Sequence, residues 1–176
     1  TSLTISLNIQ DIPHAILEGK EEIILYGDEF FVDTYTGINQ LFHCRSFSQV
    51  TPVIANALYA HFNTLIEEYS IESLIDLYCG VGSFSLSANS KLKNVLGVEI
   101  SNESIEAARK TADNLNLVDK YKFITADSLE GIKDLDAKNY SIIVNPPRRG
   151  LSFELIKIIE SIKPPYLFYS SCSTQT

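Results

Sequence analysis

The stretch Ser73-Leu74-Ile75-Asp76-Leu77-Tyr78-Cys79-Gly80-Val81-Gly82 decides how this chain is read. It runs as a short apolar strand, Ser73 to Tyr78, and then breaks on two closely spaced glycines. Glycine adopts the backbone angles that a sharp strand-to-helix turn needs, and it lets the main chain come close to a ligand. A plain dinucleotide fold would want a third glycine three residues after Gly82, and position 85 is serine. The turn therefore suits a nucleotide-like ligand without matching the dinucleotide fingerprint.

Downstream, the pattern alternates. A second strand is predicted from Asn94 to Ile100, followed by a helix capped by Ser101 and running to about Leu115. Glu103 sits in its first turn, where the helix dipole favours acid. A third strand covers Lys122 to Ala126 and precedes a short helical stretch. A fourth, Tyr140 to Val144, ends in Asn145-Pro146-Pro147. A helix from about Phe153 to Ile162 leads to a last strand, Tyr166 to Ser170. Strands alternating with helices predict an α/β fold with a parallel sheet covered on both faces. Ligands in such sheets sit beyond the carboxyl ends of the strands.

Upstream, Thr51-Pro52 reads as a helix start, with an N-cap hydroxyl and proline at the first helical position. Ile54, Leu58, Phe62, Leu65 and Ile66 are assigned to its buried stripe. Residues 1–46 read instead as a small antiparallel β element. Leu3, Ile5, Leu7 and Ile9 alternate with polar residues, as in a half-buried strand. Glu21 to Tyr26 and Glu29 to Tyr35 are further strands, and Thr36-Gly37-Ile38-Asn39 supplies a turn before Leu41 and Phe42. The division predicted is a β-rich segment, 1–46, followed by the α/β domain, 47–176.

Composition narrows the classes. The net charge of −8 over 176 residues argues against a general nucleic-acid footprint, so any nucleic-acid affinity must come from a local basic spot or from other parts of the protein. The apolar runs are short and broken by charge, which gives no transmembrane helix, and the start shows no signal-peptide pattern. Cys44, Cys79 and Cys172 are widely spaced with no CxxC pair, so neither a metal nor an iron–sulfur site is expected within the chain. Few, odd-numbered cysteines fit a reducing cytoplasm. The sequence has no methionine and begins at Thr1, which reads as an excised part of a longer protein.

The chemistry-bearing residues lie at the predicted strand ends. Glu99 ends the second strand, where a carboxylate accepts hydrogen bonds from ribose hydroxyls; the alternative is a solvated or helix-capping acid. Asp127 ends the third and either meets an adenine amino group or caps the helix at Ser128. Asn145-Pro146-Pro147-Arg148-Arg149-Gly150 ends the fourth, with prolines fixing the backbone around Asn145. Asn-Pro-Pro here resembles the adenine amino-methyltransferases, but those place an aromatic residue where this chain has Arg148. Cys172, just past the last strand, is a candidate nucleophile. Cys79 adjoins the glycine turn and reads as a packing residue.

Together the residues resemble the RNA (uracil-5-)-methyltransferase family. The matching elements are Ser46-Phe47-Ser48-Gln49, Asp76 to Phe84, Gly97-Val98-Glu99-Ile100-Ser101, Asn145 to Leu151 and Ser170-Ser171-Cys172, with a looser match at Asn8-Ile9-Gln10 and Ile16-Leu17-Glu18-Gly19. Asn145 and the Tyr-Ser-Ser-Cys ending are most similar to the bacterial branch acting on 23S ribosomal RNA. The resemblance implies a Rossmann-like class I S-adenosylmethionine-dependent methyltransferase fold, truncated at its C-terminus. It implies S-adenosylmethionine contacts at Gln49, Tyr78, Gly80, Glu99 and Asn145, and a nucleophile at Cys172. It also implies a general base and an RNA-binding region, in many members with an iron–sulfur cluster, outside this chain. The implied partner is RNA, with no membrane and no DNA. The implied reaction begins with thiolate addition to uracil C6, which makes C5 nucleophilic. An amino-methyltransferase, a non-catalytic S-adenosylmethionine- or RNA-binding module and an NAD-dependent oxidoreductase are the competing readings.

Overall fold

The computed structural model describes residues 3–10, 19, 21–49, 51–88, 90–133 and 135–171. Two hairpins come first: β1 (Ile5–Ile9) pairs with β2 (Glu21–Tyr26), and β3 (Phe30–Tyr35) with β4 (Ile38–His43), both antiparallel. Helix α1 (Pro52–Glu68) leads into the α/β part. This comprises β5 (Ser73–Leu77), α2 (Ser83–Ser87), β6 (Asn94–Glu99), α3 (Asn102–Asn114), β7 (Tyr121–Thr125), α4 (Ser128–Ile132), β8 (Ser141–Val144), α5 (Phe153–Ile162) and β9 (Leu167–Tyr169).

The five later strands form one parallel sheet in the order β7-β6-β5-β8-β9. The chain steps outward from β5 to β7 and then returns to place β8 on the other side of β5. A crevice opens at that reversal, beyond the strand ends. This is the α/β, Rossmann-like arrangement expected from the alternating pattern. The central strands are apolar on both faces, as a doubly covered parallel sheet requires. Leu74 packs with Phe62, Phe84 and Phe123 on the face under α1, α2 and α3. Ile75, Leu77, Val98 and Ile142 pack with Ile132, Leu155 and Ile159 under α4 and α5. Each such side chain contributes about 1.5–3 kcal/mol on burial.

Edge-to-face aromatic pairs tie the β3–β4 hairpin to this core. Tyr35 meets Tyr59 at 5.8 Å, Tyr59 meets Phe84 at 5.0 Å, and Phe62 meets Phe84 and Phe168, each at 5.4 Å between centroids. Buried Gln40 of β4 accepts a hydrogen bond from Ser83 Oγ at 2.8 Å, and the Leu41 amide donates to Thr111 Oγ1 at 3.0 Å. The hairpin thus reaches the glycine turn and α3 directly.

Three local expectations are corrected. In β1, the alternation is real but its facing is reversed. Ile5, Leu7 and Ile9 are exposed, while Ser6 and Asn8 point inward and bond to Glu22 and to the Gly19 backbone. In α1, the buried stripe is Ala55, Tyr59, Phe62 and Ile66, and Ile54 is 67% exposed. The aromatic partners on β3 and α2 rotate the helix towards Tyr59. Pro52 does stand at the start of α1, but the Thr51 hydroxyl makes no cap bond. The sequence reading also passed over α2, a single helical turn directly after Gly82.

Gly97 shows how tightly the turn is packed. A Cβ there would lie 2.3 Å from Phe123 Cδ1 and 3.1 Å from Cys79 Sγ. Gly97→Ala is expected to destabilise the fold by roughly 1–3 kcal/mol, the usual cost of overpacking. Equal denaturation midpoints for variant and wild type would refute this packing.

Candidate functional site

The site is assembled from the segments that leave the C-terminal ends of β5, β6, β7 and β8. After β5, the backbone is left-handed at Tyr78 (φ 59°), Gly80 (φ 55°) and Gly82 (φ 79°). Left-handed φ is uncommon for a tyrosine and is held only where the surroundings demand it. At Gly80, a Cβ would meet nothing within 4 Å, so the space over the turn is open. At Gly82 it would meet the Phe123 ring at 2.9 Å. The first glycine therefore faces open space and the second faces the core.

Glu99, at the end of β6, links two loops. Its Oε2 accepts from the Gly80 amide at 3.2 Å, and its Oε1 accepts from the Ile100 and Ser101 amides at 2.8 and 3.0 Å. The capping alternative is answered in part: Ser101 caps α3 through its own hydroxyl, which accepts from the Ser104 amide at 3.2 Å. The glutamate instead stands half-buried beside the open face of Gly80. Ile100 follows it and is 72% exposed. Ile100, expected to end the strand and given no role of its own, lies between a strand-ending acid and an N-cap serine, a place with no core to enter.

Asp127, after β7, caps α4 by accepting from the Leu129 amide at 2.9 Å and remains exposed to the crevice. Tyr78 turns towards this side. Burial raises the pKa of its phenol, partly offset by a hydrogen bond from Ser128, with Asp127, Arg149 and Glu99 within electrostatic reach. Tyr78, Asp127, Leu129, Arg149, Gly150 and Leu151 line a cleft of about 410 Å³ there.

After β8, Asn145 is half-buried and its amide donates to the Leu77 carbonyl at 3.4 Å, which sets the Asn-Pro-Pro turn beside the end of β5. Pro146 is buried; Arg148 and Arg149 are exposed. Gln49 is half-buried in the segment between β4 and α1. That segment is anchored by the Arg45–Glu103 ion pair at 2.9 Å and by Ser104 Oγ donating to Ser46 Oγ at 3.2 Å, so it lies at the start of α3. The structure thus puts Gly80 in contact with Glu99, sets Asn145 beside the end of β5, lines the neighbouring cleft with Tyr78 and holds the Gln49 segment at α3. Cys172 lies outside the described residues.

Cys79 is buried with its Sγ against Gly97. Burial, reinforced by the negative charges of Asp76 and Glu99, raises its thiol pKa well above the usual range. Such a thiol stays protonated and serves as packing, as its place beside the glycine turn suggested. Among the described residues, no helix is long and apolar enough to cross a membrane.

The comparisons with known proteins accord with this geometry. The Pyrococcus abyssi tRNA (uracil-54, C5)-methyltransferase, solved with S-adenosyl-L-homocysteine, superposes with a TM-score of 0.76 at 28% identity, covering 97% of this chain and 41% of that one. An S-adenosylmethionine-dependent methyltransferase from Agrobacterium tumefaciens shares the fold, with a TM-score of 0.64 at 18% identity over 85% of this chain and 54% of its own. The chain is 38% identical over 172 residues to the 23S rRNA (uracil(747)-C(5))-methyltransferase RlmC of Xenorhabdus nematophila, covering 98% of this chain and 46% of that protein. It is 39% identical to that of Photorhabdus laumondii, covering 98% and 45%. The chain therefore spans about half the length of the curated relatives it matches. Residues 34–176, which hold every strand of the parallel sheet and every segment of the crevice, match the sequence profile described as tRNA (Uracil-5-)-methyltransferase, and the chain belongs to that family.

Proposed function

We propose that the protein carrying this chain methylates C5 of a uridine in RNA, with ribosomal RNA the favoured substrate, and that Cys172 adds covalently to C6 of the target. The observation that carries the cofactor half of this reading is the Gly80–Glu99 contact at the sheet reversal. An open glycine turn and a strand-end carboxylate stand side by side, which suits a nucleoside whose ribose hydroxyls reach Glu99. The exposed face of Ile100 suits the adenine ring. S-adenosylmethionine fits this donor set and supplies an electrophilic methyl group when bound. Gln49, Tyr78 and Asn145 are assigned to its remaining contacts.

The nucleophile half rests on the match of Ser170-Ser171-Cys172 to the family and on the names of the relatives. The Cys172 thiolate spends its lone pair on a bond to C6, the C5=C6 π pair shifts onto C5 as an enolate, and C5 then takes the sulfonium methyl group as the thioether S-adenosylhomocysteine leaves. After methyl transfer, a base takes the C5 proton and the thiolate leaves with the C6–S electrons. Access to C5 and C6 requires an unstacked uridine. Arg148 and Arg149, both exposed just after the Asn-Pro-Pro turn, are assigned to a phosphate or a uracil oxygen. A ribosomal substrate places the reaction in the cytoplasm.

The cofactor assignment is tested by calorimetry with S-adenosylhomocysteine. Glu99→Ala removes charged hydrogen bonds worth roughly 1.5–3 kcal/mol, an affinity loss of about 10- to 150-fold. Equal affinity in variant and wild type would defeat the ribose role of Glu99.

A further inference from the structure

Away from the crevice, Glu22 of β2 and His43 and Cys44 at the end of β4 converge where the first hairpin meets the second. Their donor atoms all lie within 4.8 Å of one another. The Cys44 thiol donates to Glu22 Oε1 at 2.9 Å, and its Sγ lies 3.7 Å from His43 Nδ1. Ser6 Oγ donates to the same carboxylate oxygen at 2.6 Å, while the other, Glu22 Oε2, is buried with no hydrogen-bond partner. His43 is only 4% exposed. The Arg45 amide donates to its Nδ1 at 3.1 Å, which leaves the proton on Nε2, 3.5 Å from Glu29 Oε1.

We infer that Glu22, His43 and Cys44 form a binding site for one divalent cation of the zinc class, with water in the fourth position. Cysteine sulfur, imidazole nitrogen and carboxylate oxygen are the ligand types zinc takes. Metal–ligand lengths of about 2.0–2.3 Å in a tetrahedron place donor atoms roughly 3.3–3.6 Å apart, between the 2.9 Å of the Cys44–Glu22 pair and the 3.7 Å of the Cys44–His43 pair. His43 already has the outer arrangement of a metal-bound histidine, with its distal N–H directed at a carboxylate. The Cys44 proton now lies between sulfur and Glu22, on the ground the cation would take. On binding, that proton passes to solvent as the sulfur–metal bond forms, and the Nδ1 lone pair turns from the Arg45 amide to the metal. The neighbouring Arg45 charge is compensated by its ion pair with Glu103. The absence of a CxxC pair hid this set from sequence reading, because its members meet only through the pairing of the two hairpins.

Cobalt(II) titration of the reduced chain tests the site. The expected result is one equivalent bound, with thiolate-to-cobalt charge-transfer absorption and the visible bands of tetrahedral cobalt, both displaced by zinc. Cys44→Ser should lose the charge-transfer band. Glu22→Gln, which keeps the shape of the side chain, should lower cobalt affinity about tenfold or more, the scale seen when metal-site groups are lost. Circular dichroism checks that both variants are folded. The inference is overturned if wild type shows no thiolate band, if the band persists in Cys44→Ser, or if Glu22→Gln binds cobalt as wild type does.

Discussion

Cys172→Ala is expected to reduce RNA methylation by roughly three orders of magnitude or more, the scale of loss when a covalent nucleophile is removed. The affinity for S-adenosylhomocysteine should stay within about twofold of wild type, since no cofactor contact is assigned to this thiol; that margin is well under the 1.4 kcal/mol of a tenfold change. The reason for the large effect is chemical. C5 of uracil is too weak a nucleophile to take a methyl group unless C6 first receives an electron pair. Cys79 does not replace the missing thiolate, because its own thiol is buried and held protonated. The check is tritiated methyl transfer to RNA by the protein that carries this chain, run beside calorimetry. Near-normal turnover in Cys172→Ala would move the reading to an amino-methyltransferase, which needs no cysteine.

Asp76→Asn is expected to stabilise the folded chain above neutral pH. Asp76 lies in the central strand, one residue before its end, and is fully buried. Neither carboxylate oxygen has a partner within hydrogen-bond geometry. Burial pushes its pKa up to about 7, with Glu99 adding to the rise and the hydroxyl and amide of Ser85 opposing it. The sign follows from linkage. Between the unfolded value of 3.8 and about 7, the folded chain holds a proton that the unfolded chain has lost, so stability falls as pH rises through that window and levels off above it. A shift of this size corresponds to roughly 4 kcal/mol at most. Asparagine keeps the shape and removes the charge. Its advantage over wild type should be of order 2–4 kcal/mol at pH 8 and should vanish near pH 4. Denaturant melts at the two pH values check this, and parallel pH profiles for the two proteins would contradict it.

Much of the α/β part was legible because its signals are local. The apolar strands, the Ser101 cap and the glycine break at Gly80 each state their structure within a few residues. The strand ends follow from the alternating pattern, so the places of Glu99, Asp127 and Asn145 at or after the ends of β6, β7 and β8 are readable from position alone. What escaped depends on long-range contact. The facing of β1 is set by Asn8 bonding across to Gly19 and by Ser6 reaching Glu22, which alternation cannot reveal. The rotation of α1 follows from Tyr35 and Phe84, distant in sequence. Asp76 reads as one more residue of a motif until its burial is known. The Glu22–His43–Cys44 cluster needs two hairpins to meet.

The covalent step is the central claim, and a trapped adduct tests it most directly. Fluorine at C5 cannot leave as a proton, so RNA carrying 5-fluorouridine at the target position should hold the enzyme after methyl transfer. The expected result is a slow-migrating protein–RNA band that requires S-adenosylmethionine, persists in Cys79→Ala and disappears in Cys172→Ala. A band of equal intensity in Cys172→Ala, or none from wild type that methylates the unfluorinated RNA, would contradict it.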